Sequence, residues 1–554
     1  MAGEAALKSG ETAFSSDAKS FFLFYLCQYQ NIKPMIKRNF TILAAGAAAA
    51  TVGSNADAAN PAKGKKSERR PNVIFILMDD AGYGDFGCYG QTKTETPNID
   101  ALAERGVRFT DMYSASPVSA PSRCCLMTGL HSGHAQIRSN DEQTWRGNVW
   151  SLNAMERDQA LEGQAPMSAG TTTLATVMKS AGYKTAMVGK WGLGSPLSES
   201  TPNKMGFDFY YGYMCQRMCQ NYYPRFMYRN GERVYLDNPV MDLGDKLDEG
   251  ADPYKKESYD KFKGSVYSPD AIYENVVSFV RENRDDEFFL MWTTTVPHSA
   301  LMAPDEYVQH YVDKFGDEEP VYTGKGYFPC RYPKATFAAM ITYFDRQVGM
   351  LIDELKRLGI YDDTIIMFTS DNGPTHNSYT NTLWFDCAHP FRSDRGWVKR
   401  SLHEGGIRMP FIVSWGDRLK PSVSDHMGYF PDVMPTLCEI AGVDSPATDG
   451  ISFVPTLVGR RQPQHEYLYW EFPPFRKERG WLSIRIGQWK GLVQSVADGN
   501  TKMELFDLST DSREERNVAA NHPEIVAEMW ECVRKSHEPI ENPLFQLDIT
   551  YPEK

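Results

Sequence analysis

Several places along the chain carry side chains able to do acid–base or electrostatic work. Asp79-Asp80, Lys190, His298 and Asp371-Asn372 each stand at or just past the end of a short apolar run. Ser119 and Arg123 lie four residues apart in Ser119-Ala120-Pro121-Ser122-Arg123. Ser119 is expected to be an N-cap, with Pro121 in the first helical turn and Gly129 at the C-terminal stop. Ser119 would then sit at the positive end of a helix, where free N–H groups favour an anion. Arg123 projects from the same helical face. Read alone, the segment is also an ordinary capped helix start, and a lone serine without a base is a poor nucleophile.

The residue types make a coherent set. The carboxylates of Asp79, Asp80 and Asp371 and the amide oxygen of Asn372 are hard ligands that suit Ca²⁺ or Mg²⁺. The set lacks the histidines of a zinc phosphatase site. Arg123, Lys190 and Lys399 are cations that can hold a tetrahedral oxyanion and offset charge in its transition state. His298 is a candidate proton donor to a leaving alcohol. Each residue alone has a plainer reading as a turn, a cap or a structural histidine.

These residues need elements to hold them. Val73 to Met78 is a continuous apolar run, which reads as a buried parallel strand. Lys184 to Val188, Phe288 to Thr293, Thr364 to Phe368 and Phe411 to Trp415 read as further strands, and Val107 to Tyr113 alternates like a strand. Between them the pattern predicts helices from Thr96-Pro97-Asn98 to Gly106, from Thr172 to Gly182, over 268–282, 335–358 and 431–441. Alternation of strand and helix predicts an α/β domain with a large, mostly parallel sheet flanked by helices. In such sheets the ligand site lies at the carboxyl ends of the strands. Residues 139–170 read as an inserted loop and 195–265 as a long insertion that shapes a pocket. After about residue 460, short strand-like segments and a final helix near 523–537 predict a smaller antiparallel sheet with a helix packed on it. The expected division is a catalytic domain over 71–460 and a C-terminal subdomain over 461–554.

The 554 residues allow one large and one smaller domain with ample core. A net charge of −12, with no basic run, gives no support for nucleic-acid binding. The 10 cysteines form no zinc-type CxxC pairs, so Cys124-Cys125 and Cys215-x-x-x-Cys219 read as core thiols or at most one or two disulfides. From Met35, a basic stretch with Lys37 and Arg38, an apolar run from Phe40 to Val52 and Ala56-Asp57-Ala58 read as a secretory signal peptide over 35–58. A disordered Ala-rich tail is the alternative. Residues 1–34 are read as an upstream segment that is not necessarily native, and 59–70 as a linker. The expectation is an exported protein, periplasmic or extracellular in a bacterium, with no membrane span in its mature form.

The chain resembles the type I sulfatases of the alkaline phosphatase superfamily, from about Asn72 to about Ala519. The motifs are Asn72-Val73-Ile74 through Asp79-Asp80, Ser119 to Arg123 with Thr128-Gly129, Gly189-Lys190-Trp191, Pro297-His298, Ser370-Asp371-Asn372-Gly373, and Lys399 five residues before Glu404-Gly405-Gly406. Glu504 to Leu508 and Glu514 to Val518 resemble the family's C-terminal subdomain. The resemblance implies that Ser119 is oxidised to formylglycine (3-oxoalanine). The serine form is similar to that of bacterial enzymes matured by an anaerobic radical S-adenosylmethionine enzyme. It implies that one hydroxyl of the hydrated aldehyde attacks sulfur while His298 protonates the leaving alcohol, and that loss of the second hydroxyl's proton expels sulfate. It implies one Ca²⁺ held by Asp79, Asp80, Asp371, Asn372 and modified Ser119, with Arg123, Lys190, His298 and Lys399 on the substrate.

One position departs from the family pattern. Gly192 stands where many members have a histidine that helps expel sulfate; His131, His134 and His403 lie near motif segments. The implied substrate is a sulfated carbohydrate, with exo-acting cleavage of a galactose or N-acetylgalactosamine sulfate expected by analogy. Tyr469-Trp470-Glu471-Phe472 reads as a sugar contact or a buried strand. Two alternatives remain open at this point: a phosphodiester or phosphonate ester hydrolase on the same scaffold, and a non-catalytic sugar-binding relative.

Overall fold

The structure is a computed structural model that describes residues 69–323 and 326–553. The expected upstream segment and signal peptide lie outside the described residues. No helix among the described residues is long and apolar enough to cross a membrane.

A ten-stranded sheet carries the fold. Its order is Ser422–Ser424, Val107–Phe109, Phe411–Ser414, Thr364–Ser370, Asn72–Asp79, Phe288–Pro297, Lys184–Lys190, Phe209–Tyr213, Phe226–Arg229 and Glu232–Tyr235. The strands from Thr364–Ser370 through Phe209–Tyr213 run parallel, and antiparallel pairs lie toward both edges. The sheet is therefore mixed, with a parallel centre. Every residue of Asn72–Asp79 and of Phe288–Pro297 is buried. Strands covered on both faces need apolar side chains on both, which is why these segments read as uninterrupted hydrophobic runs. The helices Ser268–Glu282 and Pro333–Arg357 lie where the apolar periodicity puts them.

Four neighbouring strands end at one level. Met78 pairs with Ser370, Asp79 with Pro297, and Gly189 with Thr293. Asp79-Asp80, Asp371-Asn372, His298 and Lys190 therefore leave adjacent carboxyl ends side by side. Gly189 is required here. Its φ is +125°, and a Cβ would lie 1.9 Å from the Thr293 carbonyl oxygen.

Three expectations are corrected. Val107 to Tyr113 is broken into Val107–Phe109 and the two-residue strand Met112–Tyr113, which joins a separate small sheet with Gly428–Tyr429. The 195–265 insertion is not wholly irregular; it supplies three edge strands that extend the main sheet. The nine described cysteines are all free thiols, so the disulfide alternative fails for them.

The C-terminal part is a four-stranded antiparallel sheet, Leu468–Phe472, Trp481–Ile486, Trp489–Gln494 and Glu504–Asp507, with the helix Pro523–Ser536 packed on it. Tyr113, Val118, Leu402 and Ile407 of the larger part share a hydrophobic cluster with Trp470 and Phe472. Glu471 is fully buried, with Arg138 Nη1 2.7 Å and His537 Nδ1 2.8 Å away. The segment from Tyr469 to Phe472 is thus a buried strand and offers no sugar contact.

Candidate active site

The helix Ser119–Thr128 delivers the central serine. All ten of its residues are buried, and it stops at Gly129, whose φ is +72° and whose N–H donates to the Cys125 carbonyl. Ser119 is the first helical residue and Val118 is the cap. The one-residue difference from the expected N-cap has a tertiary cause. The Ser119 hydroxyl does not turn back onto its own helix; it lies 3.2 Å from Asp79 Oδ1 and 3.2 Å from Asn372 Oδ1. Asn140 Oδ1 accepts from the Ala120 N–H instead, and the Ser122 hydroxyl donates to the Asp371 carbonyl.

Around Ser119 the structure brings together every residue of the expected constellation. Lys190 Nζ donates to both Asp79 oxygens at 2.8 and 2.7 Å. Arg123 Nε donates to Asp371 Oδ2 at 2.9 Å, and its Nη1 to the Lys190 carbonyl at 3.2 Å. Lys399 Nζ lies 2.5 Å from Asp80 Oδ1. Asn372 Nδ2 donates to Asp80 Oδ1 at 2.8 Å. His298 Nε2 lies 3.6 Å from Asp80 Oδ2, and its Nδ1 lies 2.5 Å from the Ser299 carbonyl oxygen. That carbonyl can only accept, so Nδ1 carries a proton and Nε2 is the atom left to exchange one.

Burial and charge set the electrostatics. Burial pushes the Asp79 carboxyl up, but Lys190, His298 and Arg123 more than offset it and hold it at about 2. Asp80 is likewise lowered by Lys399 and His298 against burial. Burial lowers His298, opposed by Asp80 and Asp79. Arg123 Nη2 is buried without a hydrogen-bond partner, 3.9 Å from Asp79 Oδ1. A buried guanidinium with a free N–H is a poised anion donor. His298 and Lys399 reach solvent, with side chains 13% and 10% exposed, while those of Asp79 and Asp371 are fully buried. The site therefore opens on the His298–Lys399 side.

The donor set fits a hard divalent cation. Oxygen atoms of Asp79, Asp80 and Asp371 lie within 4.8 Å of one another. Asn372 Oδ1 faces the same serine, and the set contains neither sulfur nor imidazole nitrogen.

The remaining histidines sort differently. His131 and His134 stack at 4.0 Å, and His134 Nδ1 lies 2.9 Å from Asp449 Oδ1. His403 stacks on Trp397 at 3.8 Å and faces Glu514 at 3.2 Å. Among the described residues none of the three bonds Ser119. Gly192 has φ +75°, and a Cβ there would meet Gln216 Cγ at 3.1 Å, so Gln216 occupies the space beside the glycine. Sequence reading missed Thr375, whose hydroxyl donates to Asp80 Oδ2, and Tyr222, whose hydroxyl donates to the His298 carbonyl at 2.8 Å. Both lie in irregular stretches where no periodicity marks them.

Comparison with known proteins agrees with this geometry. The sulfatase family model matches residues 71–443, and the model of the N-sulphoglucosamine sulphohydrolase C-terminal region matches 393–538. An N-acetylgalactosamine-6-O-sulfatase of Bacteroides thetaiotaomicron is 30% identical, over 84% of this chain and 93% of its own. Human arylsulfatase A is 27% identical, over 84% of this chain and 87% of its own. The crystal structure of Ps i-CgsB superposes with a TM-score of 0.65 at 25% identity, over 85% of this chain and 94% of the other.

Proposed function

The chain belongs to the sulfatase family and is a sulfuric ester hydrolase, and from that premise we propose that it removes sulfate from a sulfated carbohydrate through a formylglycine made from Ser119. The observation that carries the reading is Ser119 itself, held between Asp79 and Asn372 with Arg123, Lys190 and Lys399 around it. The 30% identity to an N-acetylgalactosamine-6-O-sulfatase favours a galactosamine or galactose sulfate, cleaved in the exo mode.

The residues divide the work. Arg123, Lys190 and Lys399 bind the sulfate oxygens and offset charge as it develops, in a buried setting where each donor counts for more than in water. Asp79, Asp80, Asp371 and Asn372 would hold Ca²⁺, which would supply Lewis-acid charge beside the nucleophile and offset most of the charge of the three carboxylates. The modified side chain supplies an aldehyde hydrate, whose paired hydroxyls permit sulfur to be attacked and then released. His298 carries the proton for the leaving alcohol at Nε2, with Nδ1–H anchored on the Ser299 carbonyl. The open His298–Lys399 side gives the sugar its place.

The reading extends to processing. Residues 35–58 act as an export signal, a radical S-adenosylmethionine enzyme matures Ser119, and 71–460 and 461–554 are catalytic domain and subdomain. The test is the mass of the tryptic peptide ending at Arg123, in protein from its native host, together with sulfate release from N-acetylgalactosamine 6-sulfate. A mass lower by two hydrogens, trapped by a hydrazide, is expected with turnover. Unmodified serine in active protein would overturn the mechanism.

A further inference from the structure

Beside the open edge of the site stand two arginines with unusual backbones. Arg400 follows Lys399 directly, and its φ is +75°; Arg476 has φ +59°. Arg476 is a central residue of the turn Phe475–Glu478, closed by Phe475 N–H to Glu478 O and Glu478 N–H to Phe475 O, both at 3.1 Å. Positive φ in such a turn normally selects glycine or asparagine. Non-glycine residues held there gather where the surroundings over-determine them, often at ligand sites.

Both guanidinium groups lie over one ring. Their central carbons are 5.9 Å (Arg400) and 5.2 Å (Arg476) from the Phe475 centroid. Among the described residues neither forms an ion pair, whereas Arg479 on the same loop is bound to Asp498 at 2.8 Å and Arg392 to Asp394 at 2.9 Å. Arg476 is exposed and Arg400 half-buried. Lys399, the neighbour of Arg400, pairs with Asp80 in the site, and Tyr327 stands beside His298. Its ring meets the His298 ring edge-on, with centroids 6.1 Å apart. Burial and then Asp80 push its hydroxyl up to about 12, against Arg476 and Arg400. Glu478 acts on Arg400 from the same loop without pairing with it.

We infer that Arg400 and Arg476 form a second anion subsite at the mouth of the catalytic site, taking a further negative group, a carboxylate or second sulfate, on the same saccharide. The inference rests on the sulfated-carbohydrate reading above. Guanidinium groups match carboxylate and sulfate oxygens in planar, paired hydrogen bonds. Two unneutralised ones, supplied by different parts of the chain, favour a ligand with charge at two points.

The test uses glycine, which adopts positive φ freely, so Arg400→Gly and Arg476→Gly keep both backbones. Binding is measured by calorimetry in a Ser119→Ala background, which removes turnover from the readout. Three probes are compared: N-acetylgalactosamine 6-sulfate, its 4,6-disulfate, and a uronic-acid disaccharide of the 6-sulfate. The ratio of Kd for a doubly charged probe to that for the singly charged one is expected to rise about tenfold or more in the double variant. A rise with the disulfate assigns the subsite to sulfate; a rise with the disaccharide assigns it to carboxylate. Ratios unchanged within about twofold overturn the subsite. Sulfate release by the unsubstituted enzyme is scored separately. A ratio change without release would sustain the subsite and reject the galactosamine reading, and failure to bind any probe would reject both.

Discussion

Two buried charge clusters in this molecule are built from the same parts. The catalytic one holds Asp79, Asp80, Asp371, Arg123, Lys190, Lys399 and His298. The other, at the junction with the C-terminal sheet, holds Asp111, Glu404, Glu514, Arg408, Arg485, Lys490 and His403. In the second cluster the signs alternate. Lys490 Nζ sits between Glu404 Oε1 at 2.7 Å and Glu514 Oε1 at 3.0 Å. Arg408 bridges Glu404, at 2.7 Å, and Asp111, which also takes Arg485 at 3.1 Å. In the catalytic cluster the three carboxylates converge within 4.8 Å and the cations stand around them. Alternation cancels charge locally and joins elements. Segregation leaves a demand for a cation on one side and an anion on the other, which is what a sulfate-cleaving site needs.

The sharpest way to break this comparison is a crossed pair of substitutions. Ser119→Ala is expected to reduce turnover by about 10⁴-fold or more, the scale for losing a nucleophile, while removing no charge. Its stability should stay within about 1 kcal/mol of the parent. Lys490→Met does the reverse. It leaves Glu404 and Glu514 buried without their shared cation, at a cost of roughly 3–5 kcal/mol, while the folded fraction of matured protein keeps its turnover. Urea unfolding and aryl sulfate hydrolysis, run on both variants, read the cross directly. Loss of turnover in folded Lys490→Met protein would make the junction part of the site.

Acid sharpens the same contrast with a somewhat smaller effect. Burial raises Glu514, but Lys490 and His403 more than offset it and bring it to about 2, below the ordinary 4.5. A carboxyl depressed on folding contributes stability that is fully present above its unfolded pKa and lost as pH falls through the folded one. The loss therefore runs from about pH 4.5 to about 2 and is on the order of 3 kcal/mol. Glu514→Gln should flatten that part of the urea-midpoint profile. An unchanged acid slope would show that Glu514 gains nothing from its partners.

How far the sequence revealed these clusters follows from what holds each residue. Asp79, Asp371, Lys190 and His298 were legible because strands buried on both faces read as apolar runs, and a polar residue at the end of such a run stands out. The helices Ser268–Glu282 and Pro333–Arg357 declared themselves by periodicity. The edge strands Phe209–Tyr213, Phe226–Arg229 and Glu232–Tyr235 did not. They are rich in tyrosine and arginine, and Glu232–Tyr235 is only partly covered, so no clean alternation marks it. Which cation pairs with which carboxylate at the catalytic site was invisible, since those hydrogen bonds span 111 to 319 positions in sequence. Lys490 gave no signal at all: it is one lysine in a short strand, and only the register of Trp489–Gln494 brings it between two glutamates.

The smallest effect is the most discriminating, because it asks which cluster takes a cation. If segregation of Asp79, Asp80 and Asp371 makes a calcium site, calcium binds the folded chain and not the unfolded one. At a hundredfold excess over its dissociation constant it then adds about 2.7 kcal/mol of stability. Asp80→Asn removes one charge from the convergent set and should abolish most of that increment, although the Asn372 and Lys399 contacts retain an oxygen to face. Glu514→Gln changes a carboxylate of equal burial in the alternating cluster and should retain the increment in full. Magnesium is the control, since its demand for a compact octahedral shell suits a large, mostly protein-made oxygen set less well than calcium does. Equal calcium increments in all three proteins would locate the ion away from Asp80, and the contrast between the clusters would then rest on the anion side alone.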